Sequence, residues 1–408
     1  MKAHERHQSQ EGNHALTKTA SCAERVKIDI LAETQSDRLR LTVPWEDIED
    51  SSKEQLEETL RNPRLVTLVV LPDVHWGMNV CIGTVALMRD VIVPSFVGVD
   101  IGCGMLHLNT RRRAEELGLV SFEAKKELFR RMQKIIPHGK GKGNKAAAPP
   151  YPIALESSAM SRKEQKQVNF RACHDWGTLG GGNHFIEIGV NDKGEVGLTL
   201  HSGSRSPGYN IAHYYIKAAA ERNPCAAPFF DITSELGQAY YRDMLWALDF
   251  AAANRLRMAE KLLPLFGLDE SRLCSAIEKT HNHAVWDKET NRVLHRKGAT
   301  PADAGEYGVI PGSQLDGVYV TKGLGNAHFL CSSSHGAGRA MSRGEAFRFE
   351  SNEKFKMLMA DVVCRTDAKV QDEAPWAYKD IHAVVQNQVE NGQVAVIDYF
   401  KPIIVVKG

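Results

Sequence analysis

Residues 97–105 read Val-Gly-Val-Asp-Ile-Gly-Cys-Gly-Met, and no other short segment restricts the structure of the chain as strongly. The segment follows an apolar run and carries Asp100 and Cys103 three positions apart. Its glycines let the backbone turn tightly enough to bring a carboxylate and a thiolate to one point. A thiolate can also bridge two cations, so the pair is compatible with a dinuclear metal centre. For this segment alone, an aspartate that caps a turn beside a buried cysteine is an equally good interpretation.

The overall composition is that of an ordinary globular protein. Of 408 residues, 43% are hydrophobic and 25% are charged, and the length predicts two domains or one large, elaborated domain. The net charge of +1 argues against nonspecific coating of nucleic acid, although the 51 Lys and Arg residues could form a local basic groove. The eight cysteines are scattered singly with no Cys-x-x-Cys pair. This pattern indicates a reducing compartment rather than a disulfide framework.

Membrane insertion and secretion are not expected. The apolar runs over 65–71 and 91–99 are far shorter than the ~20 residues that span a bilayer, and the polar first twenty residues lack the apolar core of a signal peptide. We expect a cytoplasmic protein with a flexible N-terminal extension over 1–25, and a catalytic domain over 26–408. The extension carries three histidines that we expect to be solvated, namely His4, His7 and His14.

Helix and strand signals mix without a regular βαβ alternation, which predicts one composite α+β domain. Predicted helices cover 51–62, 113–135 and 234–263, and predicted strands cover 64–71 and 402–407, the first ended by Pro72 and Asp73. A hairpin or meander is expected within 80–93, and a hairpin within 185–200 around a turn at 191–194. The glycine- and lysine-rich segment 138–152 is expected to be a surface loop.

Histidines recur in five short segments, each at the end of an apolar run and beside glycine or small polar residues. They are His75, His184, His201, the pair His281 and His283, and His335. A single loop histidine is more often structural than functional, but strand ends are places where side chains converge on a cleft. His184 and His201 lie at the open ends of the predicted hairpin, so antiparallel pairing would bring them close together. This pairing is the reason to join them with Asp100 and Cys103 in one site.

The segment Ser332-Ser-Ser-His-Gly-Ala-Gly-Arg339 has a different character. Small residues around His335 leave its imidazole accessible and leave backbone N–H groups free to bind phosphate. Arg339 and Arg343 are suited to bidentate phosphate contacts. An accessible histidine beside phosphate-binding groups can act as a nucleophile and form a phosphoramidate. Further glycine loops at 308–313 and 322–326 fit either phosphate binding or ordinary turns.

Five motifs, in order along the chain, resemble the RtcB family of GTP-dependent tRNA-splicing and RNA-repair ligases. They are Val97–Met105, Gly180-Gly-Gly-Asn-His-Phe-Ile-Glu187, Leu200-His-Ser-Gly-Ser-Arg205, Tyr307-Gly-Val-Ile-Pro-Gly-Ser313 and Ser334-His-Gly-Ala-Gly-Arg-Ala-Met-Ser-Arg343. The match runs from about Leu71 to Gly408. The resemblance implies a single large domain of mixed β-sheets with surrounding helices and an active site in a central cleft.

The resemblance also implies a reaction. An RNA 3′-phosphate, or a 2′,3′-cyclic phosphate after its opening, would be joined to a 5′-hydroxyl end, in tRNA splicing or RNA repair. His335 would attack the α-phosphate of GTP, and the resulting GMP would pass to the RNA 3′-phosphate. The 5′-hydroxyl of the second strand would then attack and release GMP. The cofactors implied are GTP and two manganese ions, and an archease-like activator is a possible partner.

Particular residues carry these implied roles. Cys103 would bridge the ions, with Asp100 and His184 on one ion and His201 and His281 on the other. The guanylate-binding positions would be Asn183, Glu187, Pro311, Gly312, Ser313, Gln314, Gly336, Ala337, Gly338, Arg339 and Lys407. Arg205 and Arg343, with Arg339, are candidates for RNA phosphate contacts.

Some residues depart from the family pattern or leave alternatives open. His283 competes with His281 for one ligand position, and the His281-Asn282 pair matches the family motif better. Trp76-Gly-Met-Asn stands where the family often has a lysine between glycines, and Ser206-Pro207 where a glycine is usual; both could shift the preference for RNA ends. By affinity alone, a Cys/His/Asp set would favour zinc over manganese.

Two functions of other classes are also compatible with the residues. A metal-dependent phosphohydrolase would use the same centre without His335, and a catalytically silent RNA-binding protein would hold zinc and turn over no GTP.

Overall fold

The computed structural model describes residues 38–144, 151–157 and 159–408. The predicted N-terminal extension with its three histidines, and residues 145–150 of the predicted surface loop, lie outside this range. The described helices are α1 Asp50–Leu60, α2 Pro94–Val97, α3 Phe122–Ile135, α4 Arg162–Asp175, α5 Arg205–Arg222, α6 Glu235–Leu262, α7 Arg343–Phe349, α8 Asn352–Leu358 and α9 Ile381–Glu390. None of them combines the length and apolar character that crossing a membrane requires.

The described strands form two large sheets and two short ribbons. The strands are β1 Leu39–Leu41, β2 Leu65–His75, β3 Ile82–Arg89, β4 Val91–Ile92, β5 Gly104–Arg113, β6 Phe185–Val190, β7 Glu195–Ser202, β8 Phe230–Asp231, β9 Ile277–Thr280, β10 Asn282–Asp287, β11 Arg292–Lys297, β12 Ala299–Pro301, β13 Tyr307–Pro311, β14 Val318–Gly323, β15 Ser332–Ser334, β16 Val363–Cys364 and β17 Val394–Lys407. The five-stranded sheet has the order β1-β2-β3-β11-β10. The eight-stranded sheet has the order β13-β14-β17-β6-β7-β5-β9, with β16 beside β17. Mixed sheets surrounded by helices confirm the predicted α+β class.

Helix α6 covers one side of the eight-stranded sheet. Ser234 caps it by accepting a hydrogen bond from the Gly237 N–H, which satisfies one of the free donors of the first turn. Along its length it buries small and large apolar side chains, among them Ala247, Phe250 and Met258. Met258 packs in the same apolar cluster as Leu198 of β7. The long Ala- and Leu-rich helix predicted over 234–263 is therefore confirmed.

The hairpin predicted over 185–200 is also confirmed, because β6 and β7 pair antiparallel with Phe185 opposite His201. Helix α1 confirms the helix predicted over 51–62. The strand predicted over 402–407 is present but is the end of the longer strand β17.

Three predicted elements are wrong in part. Strand β2 does not stop at Pro72 but continues to His75, because a register shift in its pairing with β3 after Val70 accommodates the proline. Residues 80–93 do not form a hairpin, since β4 turns away to pair with β8. The helix predicted over 113–135 begins only at Phe122, because β5 runs on to Arg113, where it pairs with Glu195.

Candidate metal centre and nucleotide cavity

Three strand ends meet at one edge of the eight-stranded sheet. Gly104, the first residue of β5, pairs with Ser202 of β7 on one side and with Thr280 of β9 on the other. Cys103 therefore lies beside His201 and His281, and the His281 N–H donates to the Cys103 carbonyl at 2.8 Å. The sheet register, rather than a local motif, brings these residues together.

The side chains of this edge form a compact buried cluster. The Cys103 Sγ lies 3.2 Å from the His201 Nε2 and 3.5 Å from the His184 Nε2. The His184 Nε2 lies 3.0 Å from the Asp100 Oδ2, and the Nε2 atoms of His201 and His281 lie 3.4 Å apart. Two groups of potential metal ligands result, namely Asp100 with Cys103 and His184, and Cys103 with His201 and His281. Because Cys103 belongs to both groups, its sulfur lies where a bridging ligand would.

Backbone carbonyls orient two of these imidazoles. The Nδ1 of His184 lies 3.0 Å from the Leu179 carbonyl, and the Nδ1 of His201 lies 3.2 Å from the Asn183 carbonyl. A carbonyl oxygen can only accept, so each Nδ1 carries a proton, and the Nε2 of a neutral ring presents a lone pair to the cluster. The Asp100 carboxylate, which also only accepts, lies against the same His184 Nε2, so a neutral His184 has no proton to offer it, whereas a divalent cation would bind the lone pairs of Asp100, Cys103 and His184 together. The donor set therefore fits a divalent cation better than it fits a hydrogen-bonded core.

The protonation of the cluster is consistent with this fit. Burial lowers the pKa of His201 and of His281 well below the usual histidine value, so both rings are neutral, the form that binds metal. Burial, with the nearby Asp100 carboxylate, raises the pKa of the Cys103 thiol well above its usual value. A cation is the partner that would stabilise the thiolate.

Asp100 is held by its surroundings. Burial alone would raise the pKa of its carboxyl group, but hydrogen bonding and attraction from His184 outweigh that effect and lower the pKa. Gly203 provides the space for this carboxylate, because a Cβ at residue 203 would lie 2.1 Å from the Asp100 Oδ1. His283 lies outside the cluster, since its Nε2 is 3.3 Å from the Arg296 guanidinium. Of the two competing histidines, the structure brings only His281 to Cys103.

His335 lies next to the cluster, with its ring centroid 4.8 Å from that of His281. The Asp73 Oδ2 accepts from the His335 Nδ1 at 2.6 Å and from the His335 backbone N–H at 3.2 Å. This contact places the proton on Nδ1 and leaves the Nε2 lone pair free for attack on an electrophile. Sequence reasoning named Asp73 only as a residue that ends the predicted strand over 64–71; its position at the end of an apolar run, two residues before His75, was the available signal.

A cavity of about 850 Å³ opens beside His335 and lies between the two large sheets. The five-stranded sheet contributes His75 and Ile82, with Trp76 directly after β2, and the eight-stranded sheet contributes residues such as Glu187 and Lys407. All of the residues named as guanylate-binding candidates line it, and Arg343 does so as well. The volume is in the range usual for small-molecule and cofactor sites. The cavity is therefore large enough for a nucleotide.

Three cations surround one buried carboxylate at the wall of this cavity. Glu373 lies 2.8 Å from the Lys407 Nζ, 3.4 Å from an Arg339 nitrogen and 2.5 Å from an Arg343 nitrogen, and it also accepts from the Tyr378 hydroxyl. Burial alone would raise the pKa of Glu373, but the attraction of Lys407 and Arg343 outweighs it and lowers the pKa to about 2. Sequence reasoning missed Glu373, because nothing in its own segment resembles a site.

Glu187 presents a second buried carboxyl group to the cavity. Its Oε1 has no hydrogen-bond partner among the described residues. Burial raises its pKa to about 8, so the group is largely protonated at neutral pH and can donate a hydrogen bond to a bound molecule.

The two candidates for RNA contacts lie apart in the fold. Arg343 lines the cavity, whereas Arg205 does not and begins α5 beside the metal-ligand cluster. Arg205 adopts a φ of 51°, and its Nε donates to the Thr178 hydroxyl at 3.4 Å. A Cβ at residue 180 would collide with the Arg205 guanidinium, so Gly180 is needed for this placement.

Comparisons with known proteins agree on one family. A family model described as tRNA-splicing ligase RtcB matches residues 55–152 and 152–408. The RNA-splicing ligase RtcB of Escherichia coli K12 is 35% identical over 400 aligned residues, which cover 88% of this chain and 95% of that protein. The tRNA-splicing ligase RtcB of Nanoarchaeum equitans is 28% identical over 88% of this chain and 92% of that protein. An RNA-splicing ligase RtcB homolog of Entamoeba dispar is 29% identical over 85% of this chain.

Proposed function

The chain belongs to the RtcB family of RNA-splicing ligases, and from that premise we propose that it joins RNA 3′-phosphate or 2′,3′-cyclic phosphate ends to 5′-hydroxyl ends with GTP and two manganese ions. The observation that carries the proposal is the position of His335. Its free Nε2 lies beside both the metal-ligand cluster and the cavity with the guanylate-binding candidates. We also propose that residues 26–408 form one catalytic domain in the cytoplasm, with 1–25 as an extension.

The metal ligands in this proposal are the five residues of the cluster. Asp100 and His184 would hold one ion, His201 and His281 the other, and Cys103 both, as the two overlapping groups of donor atoms allow. Bound divalent ions would polarise phosphoryl oxygens and neutralise developing negative charge. Manganese rather than zinc is part of the proposal because of the family, since the donor set itself suits either metal.

His335 has the nucleophilic role. Its Nε2 would attack the α-phosphorus of GTP, forming a P–N bond as the bond to the pyrophosphate leaving group breaks. Asp73 supports this step because it fixes the ring through Nδ1 and stabilises the positive charge that develops on the imidazole. The product would be GMP joined to His335.

Two further transfers complete the reaction. An oxygen of the RNA 3′-phosphate would attack the phosphorus of the GMP and break its bond to His335, which leaves the RNA end activated by a phosphoanhydride bond to GMP. The 5′-hydroxyl of the second strand would then attack the RNA phosphorus, form the new phosphodiester bond and release GMP. A cyclic phosphate would first be hydrolysed to the 3′-phosphate. Cations suited to binding the phosphates of these intermediates line the cavity, among them Arg339 and Lys407.

The cluster around Glu373 would hold the guanylate in place. With three cations around Glu373, and one further carboxylate at Asp372 paired with Arg343, the wall keeps a surplus of positive charge for phosphate groups. Protonated Glu187 would supply a hydrogen-bond donor on the same wall. RNA phosphates would contact Arg343 at the cavity and Arg205 beside the metal-ligand cluster. We also propose an archease-like activator as a partner. Its effect would be seen as faster labelling of the protein with GTP when such an activator is added.

A joining assay tests the proposal. The protein is incubated with manganese, GTP and two oligoribonucleotides, one ending in a 3′-phosphate and one beginning with a 5′-hydroxyl. We expect a joined product, no product with 3′-hydroxyl and 5′-phosphate ends, and no product from His335→Ala. His328→Ala is the matched control, since His328 is exposed and lies outside the cavity.

The alternatives give different results in the same assay. Release of phosphate from the 3′ end by both wild type and His335→Ala, without joining, would indicate a phosphohydrolase. No reaction of either RNA end, in spite of RNA binding, would indicate a binding protein. Either result contradicts the proposed ligase.

A further inference from the structure

Trp76 is the one exposed tryptophan of the six in the chain. Its side chain is 57% exposed, and that of Met78, two residues further on, is 55% exposed. The other five tryptophans, all within the described residues, are partly buried. Leaving a large aromatic surface in water forgoes the stabilisation that its burial would give. An exposed tryptophan at the rim of a cavity is therefore a candidate contact for a ligand.

The loop that carries Trp76 is fixed by hydrogen bonds on both sides. Gln55 bonds both backbone groups of Gly77, donating to its carbonyl at 2.6 Å and accepting from its N–H at 3.2 Å. The buried Lys297 ammonium donates to the carbonyls of Met78 at 2.7 Å and Val80 at 2.9 Å. The backbone is thus held in place although the indole is exposed, so binding a planar ligand here would cost little ordering of the chain.

Trp76 enters the cavity from a different part of the chain than the guanylate-binding candidates. Trp76 follows β2 of the five-stranded sheet and lines the cavity next to His75, whose ring centroid is 6.4 Å from that of His335. The guanylate-binding candidates come from the eight-stranded sheet, the loops beside it and the segment 336–339. Trp76 is therefore placed to contact a ligand that reaches the same histidine.

We propose that Trp76 is a stacking platform for the nucleobase of an RNA nucleotide at the junction being joined. The inference rests on the proposed function, because an RNA end must reach His335 for the reaction. Single-stranded RNA ends are commonly bound by stacking of unpaired bases on aromatic side chains. Stacking tolerates every base, so Trp76 would position RNA ends without selecting their sequence.

A cycle of protein and RNA changes tests this inference by equilibrium binding, without catalysis. The full chain, as wild type, Trp76→Ala, Trp76→Phe or Phe170→Ala, is titrated into labelled oligoribonucleotides. In one arm the RNA ends in a 3′-phosphate, and its last nucleotide carries a base or is abasic. In the other arm the RNA begins with a 5′-hydroxyl, and its first nucleotide carries a base or is abasic. Phe170 is the control because it is 65% exposed and lies outside the cavity.

For the wild type and Phe170→Ala, we expect removal of the base to weaken binding by about 5- to 100-fold in at least one arm, the range that stacking of one base gives. Trp76→Ala should bind base-bearing RNA as weakly as wild type binds abasic RNA, with no further loss for abasic RNA. Trp76→Phe should retain most of the discrimination.

Equal discrimination by wild type and Trp76→Ala in both arms would overturn the inference. The inference would also be overturned if Trp76→Ala needed a higher GTP concentration than wild type for labelling of the protein but still bound abasic RNA more weakly than base-bearing RNA. Trp76 would then stack on the guanine of GTP rather than on a base of the RNA. If the proposed ligase function itself were wrong, the wild type would fail to join RNA ends in the joining assay.

Discussion

At the scale of single residues, Cys103 is the candidate ligand on which both proposed metal ions would depend. Its sulfur contacts two imidazoles and belongs to both groups of potential ligands, whereas every other member belongs to one. Removing a peripheral ligand would leave one group intact, but removing Cys103 would damage both. The contribution of Cys103 to metal binding can therefore be separated from that of its neighbours.

We predict that Cys103→Ala, purified after exposure to manganese, retains less than one ion per chain, while His281→Ala retains about one of the two, as the shared ligand requires. Elemental analysis of the desalted protein measures this directly. Cys225→Ser is the matched control, since Cys225 is exposed and belongs to neither group. Equal metal content in Cys103→Ala and Cys225→Ser would show that the sulfur is not a ligand.

In the proposed reaction, Asp73 would act only through His335. Asp73→Asn keeps the volume of the side chain but removes the negative charge that would stabilise the imidazolium formed as His335 attacks. We expect guanylylation to slow by about 100- to 10,000-fold, the range that loss of a group supporting a catalytic histidine gives. Single-turnover labelling with GTP measures the rate. An unchanged rate, with the fold intact by circular dichroism, would mean that Asp73 does not support the nucleophile.

At the scale of elements, local patterns predicted the hairpin of β6 and β7 and, through it, the approach of His184 to His201. Alternation and a turn sequence are local signals, so sequence alone suffices there. The predicted end of β2 at Pro72 was wrong. A proline ends most strands, but a register shift lets β2 continue to His75. The pairing of β5 with β9, which places His281, joins Gly104 to Thr280, and this contact between distant parts of the chain has no local signal.

Glu373 ties the C-terminal strand β17 to the start of α7 through Lys407 and Arg343. Its pKa is lowered from 4.5 to about 2 in the folded state, so the unfolded chain takes up a proton first as the pH falls. The stability that this carboxylate contributes is complete above about pH 4.5 and is lost as the pH falls towards 2. A shift of this size corresponds to about 3 kcal/mol.

We predict that Glu373→Gln lowers the free energy of unfolding by about 3 kcal/mol at pH 7, since three cations lose their shared partner. The difference from wild type should shrink between pH 4.5 and pH 3. Urea denaturation at several pH values measures it, with Glu353→Gln as a control at an exposed position. A difference that does not change with pH would mean that the charge of Glu373 is not what stabilises the cluster.

At the scale of the whole molecule, the site depends on residues of two sheets that are distant from one another in sequence. The cavity takes His75 from one sheet, with Trp76 directly after it, Glu187 and Lys407 from the other sheet, and His335 from the segment between β15 and α7. The resemblance to a family predicted most of these residues because their motifs are long. It did not give Asp73 or Glu373, whose roles depend on contacts that only the folded chain creates.

The central claim is that His335 becomes guanylylated beside a metal centre that contains Cys103. The most direct measurement is incubation with manganese and GTP labelled in the α-phosphate, followed by mapping of the labelled peptide. We predict an acid-labile, base-stable label on His335 in the wild type, none in His335→Ala, and undiminished labelling in His328→Ala. A wild type without label, with or without RNA 3′-phosphate ends, or a label that persists in His335→Ala, would contradict the account.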